Sequence, residues 1–166
     1  MEIRQVTIGH LEEAFKIFQN CRRAMEHEQI FQWTDSYPSM NHLSEDISQG
    51  YAYGLYIAGQ CRGIISINTI QDPQYKSISW ADAEGDPVII HRFVVEPSFQ
   101  HLGFGQALMN FAEEYARKGN YTSIRFDAYS GNMRTLDFYE KRGYQKKGTV
   151  YFPGRELPFF CLEKLI

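Results

Sequence analysis

The chain has few of the residues that mark metal sites, disulfide frameworks or nucleic-acid surfaces. Its three cysteines, Cys21, Cys61 and Cys161, lie far apart with no CxxC pair, which is typical of free thiols in a reducing compartment. Residues 27–31 lack the second histidine of a zinc-protease helix, so no metal is expected. The formal net charge of -3 includes no basic excess, which argues against nucleic acid as a partner.

Long apolar runs are also missing. No stretch could span a bilayer, and residues 1–4 do not lead into an apolar signal segment. We therefore expect no membrane partner and a cytoplasmic location. The 166 residues, of which 43% are hydrophobic and 22% charged, suffice for one ordinary core. A single domain over residues 1–166 is predicted.

Hydrophobic periodicity changes repeatedly between the extended and the helical pattern. Strands are predicted at residues 2–6, 51–57, 61–67, 88–95, 123–128, 144–151 and 158–164. Helices are predicted after Thr7, from Ser39, after residue 103 and from Asn132, with ends at Gly50, Gly119-Asn120 and Gly143. The order β-α-α-β-β-β-α-β-α-β-β predicts an α/β fold, one mixed sheet with helices on its faces.

The segment between strand 88–95 and the next helix carries the strongest functional signal. We call residues 100–106 (Gln100-His101-Leu102-Gly103-Phe104-Gly105-Gln106) the glycine loop. A helix N-terminus presents unpaired N–H groups, and glycines allow close approach, so the loop suits a phosphate-bearing cofactor. No Lys-Ser/Thr pair follows, and Leu108 replaces the third glycine of a dinucleotide fingerprint, which argues against both nucleotide motifs. On spacing alone, a plain helix-capping turn fits equally well.

Three segments together resemble the GCN5-related N-acetyltransferases, the GNAT superfamily. The glycine loop matches Q/R-x-x-G-x-G/A, and strand 123–128 ends in a small polar turn. Residues 132–144 resemble N-x-x-A-x-x-F-Y-x-x-x-G-F/Y, with Thr135 in place of the alanine. The match covers about residues 88–151. It implies the GNAT fold, a central mixed, mostly antiparallel sheet flanked by helices, in which two splayed parallel strands bind acetyl-CoA. The implied activity is direct acetyl transfer from acetyl-CoA to a primary amine of a small molecule or peptide.

The resemblance also implies roles for particular residues. Backbone amides of the glycine loop would bind the pyrophosphate, with Leu102 where a basic residue is frequent and His101 as a partial substitute. The main chain of Phe93 and Val95 would contact the pantetheine arm, and a backbone N–H near Val95 would bind the oxyanion. Asn132 would both cap its helix and reach the pantetheine. Tyr139 would donate a hydrogen bond to the departing thiolate, the alternative being aromatic packing beside Phe138.

The general base is left open. Period two places His91 on one face of its strand with Ile89, Phe93 and Val95, and its ordinary pKa of about 6.5 suits proton removal at neutral pH. The alternative is a histidine whose ring is satisfied by neighbouring backbone groups. Asp127 and Glu96 are lesser candidates, and Asp127 could instead attract a cationic amine or form a turn.

Four loop aromatics, Trp33, Tyr37, Tyr75 and Trp80, are predicted to line the acceptor side or to anchor their loops on the core. No cysteine lies in the matching motifs, so a covalent acyl-enzyme has no candidate nucleophile. The alternative function is a non-catalytic acyl-CoA-binding or sensing domain of the same fold. The identity of the acceptor and a homodimeric state are left open.

Overall fold

One seven-stranded sheet organises the computed structural model, which describes residues 1–166. Its strands are β1 (Glu2–Gln5), β2 (Ala52–Ile57), β3 (Gln60–Asn68), β4 (Pro87–Val95), β5 (Ser123–Tyr129), β6 (Gln145–Val150) and β7 (Phe159–Leu165). The helices are α1 (Leu11–His27), α2 (Met40–Ser48), α3 (Phe104–Lys118) and α4 (Met133–Lys141). The predicted α/β fold and its order of elements are confirmed. No helix is both long enough and apolar enough to cross a membrane.

The sheet contains a wedge-shaped gap at its centre. Its strand order is β1-β2-β3-β4-β5-β7-β6, and only β4 and β5 run parallel. Their pairing extends only from Pro87 opposite Ser123 to Ile89 opposite Arg125. Beyond that point each strand keeps its outer neighbour while β4 and β5 diverge. The diverging strands leave unpaired backbone groups facing each other, which a ligand can use.

A β-bulge interrupts β4 beyond its last pair with β5. Ile64 lies opposite Val94 whereas Ser66 lies opposite His91, so β4 contains one more residue than β3 across this interval. Within it, Arg92 has a φ of 43°, and its guanidinium donates through Nε and Nη2 to the two Asp46 oxygens, each at 2.6 Å. An extra residue changes the phase of every side chain that follows.

The bulge corrects one prediction about β4. Val88 and Ile90 pack in the same core cluster as Val95, with Phe93 against it, whereas Ile89 belongs to another cluster. The expectation that His91 shares a face with Phe93 and Val95 is therefore wrong. Strict alternation cannot hold across an inserted residue.

Hydrophobic clusters on the two faces of the sheet hold the helices in place. On one face α3 contributes Leu108 and Met109, and α4 contributes Tyr139. On the other, Phe18 of α1 and Leu43 of α2 pack over β2 and β3. Amphipathic helices on both faces bury the sheet and leave the gap between β4 and β5 open at one end.

Helix ends agree with the sequence except at the start of α1. A 3-10 turn over Ile8–His10 precedes α1, and the Thr7 hydroxyl contacts His10 Nδ1 at 2.8 Å, so Thr7 does not cap α1 directly. After α3 the left-handed residue is Asn120, with a φ of 57°, whereas Gly119 is not left-handed. Gly143 ends α4 with a φ of 87°, as predicted.

Candidate active site

Two adjoining cavities open beside β4 where it leaves β5. The larger, about 450 Å³, lies between the end of β4, the glycine loop, α1 and α4, and we call it the loop cleft. The smaller, about 190 Å³, lies deeper between both diverging strands, and we call it the aromatic cavity. Five residues line both: Gln32, Trp33, Phe93, Thr135 and Tyr139. A molecule in the cleft and another in the cavity would therefore meet at these side chains.

The glycine loop presents backbone hydrogen-bond donors that have no acceptor in the chain. The six backbone N–H groups of residues 101–106 have no acceptor within the chain, and the helical pattern resumes at Ala107, which donates to the Gly103 carbonyl at 3.0 Å. His101 and Gly103 are left-handed, with φ of 64° and 86°, and the first turn of α3 carries no acidic residue. Consecutive free N–H groups at a positive helix end suit a phosphate.

The side chains around the glycine loop anchor it to β4, are exposed, or line the loop cleft. Gln100 Nε2 donates to the Val95 carbonyl at 3.0 Å and so ties the loop to β4. Leu102 is 63% exposed and contributes no charge. Arg134 lines the loop cleft from the first turn of α4 and forms an ion pair with Glu28 at 3.3 Å. Sequence reasoning missed Arg134, although its place two residues after Asn132 was a usable signal.

The main chain at the end of β4 faces the gap. Glu96 N–H donates to the Arg62 carbonyl of β3 at 2.8 Å. Because successive residues of an antiparallel strand point their N–H groups in opposite directions, the Val95 N–H points away from β3. The Val95 carbonyl accepts from Cys21 Sγ at 3.2 Å and from Gln100. Both the pantetheine contact and the oxyanion donor remain predictions, and this backbone orientation agrees with them.

Tyr139 lies at the junction of the two cavities. Its ring packs against Phe126, with centroids 4.5 Å apart, and its hydroxyl makes no hydrogen bond within the chain. Burial and the nearby Asp127 carboxylate raise the pKa of Tyr139 well above its ordinary value. The hydroxyl therefore stays protonated at physiological pH and can donate a hydrogen bond.

Asn132 serves as a helix cap and also faces the cleft. Its Oδ1 accepts from the Thr135 N–H at 3.3 Å, which caps α4, and its Nδ2 donates to Gln32 Oε1 at 3.3 Å. The side chain is buried and lines the loop cleft. Its predicted contact with a ligand remains a prediction that this placement accommodates.

Aromatic rings and charged groups form the walls of the smaller cavity. Trp33 and Tyr37 line it, as predicted. Tyr75 does not line it, although its hydroxyl donates to Asp127 Oδ2, a wall residue, at 2.7 Å. Trp80 does not line it: its ring packs on Tyr75, which makes it a loop anchor. Three further wall residues come from the β6–β7 region and had no signal in the sequence: Phe152, Arg155 and Phe159.

Two titratable groups of the cavity can accept a proton at neutral pH. Burial, with a contribution from Asp72, raises the pKa of Asp127 from 3.8 to about 6, against the opposing effect of the Tyr75 hydrogen bond. Burial and the Arg92 charge lower the pKa of His91 below 6.5. Glu96 lines neither cavity and instead accepts from Asn20 Nδ2 at 2.9 Å.

The tautomer of His91 follows from its neighbours. Its Nε2 lies 3.1 Å from both Asn68 Oδ1 and the Ile70 carbonyl. Asn68 Oδ1 also accepts the Ile70 N–H at 2.8 Å, which identifies that atom as the oxygen. Both neighbours are acceptors, so Nε2 carries the proton and Nδ1 keeps a free lone pair. The ring therefore donates a hydrogen bond through Nε2 and can accept a proton at Nδ1.

Asp127→Asn is expected to stabilise the protein at pH 7 by about 3 kcal/mol, because a carboxyl with a pKa raised from 3.8 to about 6 is costly to ionise in the folded state. The native state holds the proton more tightly, so this stability is present below pH 4 in the wild type and is lost as the pH rises through 6. Chemical denaturation of both proteins at pH 4 and pH 7 measures the effect. An equal difference at the two pH values would contradict the prediction.

Comparisons with known proteins agree with this geometry. The model of the acetyltransferase (GNAT) family matches residues 11–144. An uncharacterized N-acetyltransferase of Lactobacillus delbrueckii subsp. lactis is 29% identical over 93 residues, which are 56% of this chain and 50% of that protein. The chain spans half or less of the length of the curated relatives it matches.

Solved structures share the fold along the whole chain. A GNAT family acetyltransferase of Streptococcus agalactiae superposes with a TM-score of 0.83 at 20% identity, covering 99% of this chain and 95% of that one. The PaiA N-acetyltransferase of Thermoplasma acidophilum, solved in complex with coenzyme A, has a TM-score of 0.75 at 19% identity, covering 99% and 98%. With the family model matching most of its length, the chain belongs to the GNAT acetyltransferase family.

Proposed function

We propose that the protein is an N-acetyltransferase that moves an acetyl group from acetyl-CoA to a primary amine by direct attack. One observation carries the proposal: the loop cleft, with its six free N–H groups, meets the aromatic cavity at Tyr139. A donor and an acceptor bound in the two cavities would have their reacting groups side by side. Such juxtaposition supplies much of the rate in bimolecular transfers.

Acetyl-CoA supplies an activated thioester, and the residues of the cleft fit its chemistry. The N–H groups of residues 101–106 and the N-terminus of α3 are suited to the pyrophosphate. The Arg134 guanidinium and the His101 ring line the cleft beside it. The outward-facing main chain of Phe93 and Val95, together with Asn132, offers donors and acceptors to the amide-bearing pantetheine arm.

Two donors of the chain would stabilise the charge that develops during transfer. The Val95 N–H would bind the carbonyl oxygen as it becomes negative, and the Tyr139 hydroxyl would donate to the departing sulfur. A thiol has a pKa of about 8.5, far below that of the buried Tyr139, so complete proton transfer to the thiolate is unfavourable. Tyr139 would therefore act as a hydrogen-bond donor that keeps its proton.

The attacking amine must lose its proton, since an alkylamine has a pKa of about 10.4. His91 Nδ1 and the Asp127 carboxylate are two groups of the aromatic cavity that can accept this proton. His91 is retained as the predicted base, and Asp127 is suited to attract the cationic form of the amine.

A covalent acyl-enzyme has no support in the cleft. Cys21 lines the loop cleft, but burial raises the pKa of its thiol to about 12 and its Sγ donates to the Val95 carbonyl. A thiol in this state is a weak nucleophile at neutral pH. Direct attack by the amine is the simpler route.

Acetyl-CoA at 100 times its Kd is expected to raise the Tm by about 5–10 °C, since such binding contributes about 2.7 kcal/mol to the native state. Differential scanning calorimetry measures the shift, with NAD at equal concentration as the control dinucleotide. If the Tm is unchanged at saturating acetyl-CoA, the proposal is wrong.

Release of CoA thiol is then scored across a panel of amines, peptides and aminoglycosides. A Tm shift with silence across that panel would favour the sensing domain over the enzyme.

A further inference from the structure

We propose that the aromatic cavity takes a small zwitterionic acceptor, a free amino acid with an apolar or aromatic side chain. Its carboxylate would bind Arg155, and its amino group would lie beside Asp127. This inference rests on the proposed function and specifies its substrate class. It depends on which charged side chains of the cavity form ion pairs. Two arginines line the cavity, and of these Arg92 forms an ion pair whereas Arg155 does not.

Arg92 is already neutralised. Its guanidinium donates to both Asp46 oxygens at 2.6 Å, and Asp46 is itself buried. Such a bidentate pair leaves little attraction for a further anion. The Arg92–Asp46 pair stabilises the bulge of β4.

Arg155 lines the same cavity without a carboxylate partner. Its Nε and Nη1 donate to the backbone carbonyls of Gln32 and Pro153 at 3.2 and 2.9 Å, and it forms no salt bridge. Nη2 has no acceptor in the chain. Its guanidinium lies 5.4 Å from the Tyr37 ring centroid and 5.8 Å from that of Phe159. The arginine is therefore held in place by rings and carbonyls without forming an ion pair, which suits recognition of a carboxylate.

The same cavity contains two carboxylates that form no ion pair, and the Arg155 charge acts on Asp127 only from beyond ion-pair distance. Asp127 has only the Tyr75 hydroxyl as a side-chain partner, and Asp72 forms neither a salt bridge nor a side-chain hydrogen bond. An acceptor ammonium would supply the missing positive charge here, beside His91 Nδ1, which can then take its proton. Cation and anion sites within one cavity match the two charges of an amino acid.

The remaining wall and the volume restrict the rest of the acceptor. The rings of Trp33, Tyr37, Phe152 and Phe159 favour an apolar or aromatic side chain. A volume of about 190 Å³ is below that of pockets for larger ligands, so the acceptor is small. A peptide amino terminus has no adjacent carboxylate and would leave Arg155 without a counter-ion. A polyamine would bring further positive charge towards Arg155.

The test compares substrates that differ only in the carboxylate. CoA release is measured with the twenty amino acids, and for phenylalanine also with phenylalanine amide and phenethylamine. We expect kcat/KM for phenylalanine to exceed that for its amide and amine by about 10- to 100-fold, as expected for one hydrogen bond between charged groups. Arg155→Gln should erase this difference through KM while the amide and the amine change less than about twofold.

Two further variants separate recognition from structure. Arg155→Lys keeps the charge but loses the planar fork and should restore part of the preference for the carboxylate. Arg117→Gln removes the same charge from a side chain that is 56% exposed on α3 and should leave all three substrates unchanged. The Tm shift with acetyl-CoA confirms that each variant is folded.

Equal or faster turnover of the amide or the amine would overturn the zwitterion proposal, and so would an equal loss on all three substrates in Arg155→Gln. Silence with all twenty amino acids would overturn it as well. In the first two cases the proposed function stands, because an amine is still acetylated. After silence with the amino acids it stands if another amine or peptide of the wider panel is acetylated, and it falls if that panel is silent too.

Discussion

Replacing Tyr139 with phenylalanine is expected to lower kcat by about 10²- to 10³-fold, the usual effect of removing one donor aimed at developing charge. The Kd for acetyl-CoA should change little, because the ring still fills its place against Phe126. The hydroxyl has no partner within the chain, so its removal leaves no buried group unsatisfied. Steady-state rates and calorimetric binding measure the two quantities separately.

Tyr144→Phe is the matched control for this variant. Tyr144 packs against the same Phe126 ring, at 4.9 Å, but lines neither cavity, and its hydroxyl donates to Glu113 Oε1 at 3.3 Å. It should lose some stability, about 1 kcal/mol for one hydrogen bond, and keep its kcat. If the two variants have equal kcat values, Tyr139 is a packing residue and the sulfur needs another donor.

The second large effect is expected at Gly105, where a large side chain should weaken acetyl-CoA binding without unfolding the protein. A Cβ at this position would lie 3.6 Å from Phe93 Cζ and 4.0 Å from Phe138 Cζ, ordinary contact distances. Gly105→Ala should therefore bind acetyl-CoA nearly as the wild type does. Gly105→Leu should extend into the loop cleft and raise the Kd by about 10- to 100-fold, as expected from an overpacking cost of about 1–3 kcal/mol.

Neither Gly105 variant should unfold the protein. Gly105 is the second residue of α3, and a Cβ there makes only ordinary contacts, so Gly105→Ala should maintain the Tm of the free protein. Isothermal titration calorimetry and thermal unfolding of the two variants give the result. If leucine leaves the Kd unchanged, acetyl-CoA does not pass over the start of α3 and the assignment of the loop cleft is wrong.

Local features of the site were predictable because they depend on neighbours in the chain. A left-handed glycine before a helix, free N–H groups in its first turn and an asparagine cap are properties of segments only a few residues long. The glycine loop and Asn132 were therefore identified from sequence, as was the order of elements. The expected roles of these residues in catalysis remain predictions.

The acceptor side was predicted less well because it is built from distant segments. The bulge at Arg92 depends on Asp46, which is 46 positions away in the sequence, and no local pattern announces it. It moved His91 onto a different face from Phe93. Arg155 and Phe159 reach the cavity only because β7 pairs with β5, one of the two diverging strands.

The sequence by itself determined the order of strands and helices, the phosphate-suited loop after β4 and the resemblance to the GNAT family, because hydrophobic period, glycine conformation and helix capping act over short range. Tertiary structure decided where β4 and β5 part, which cavity each side chain lines, and which charges remain unpaired. Those features arise when segments far apart in the chain are packed against one another, which brings Asp127 and Arg155 to the wall of one cavity.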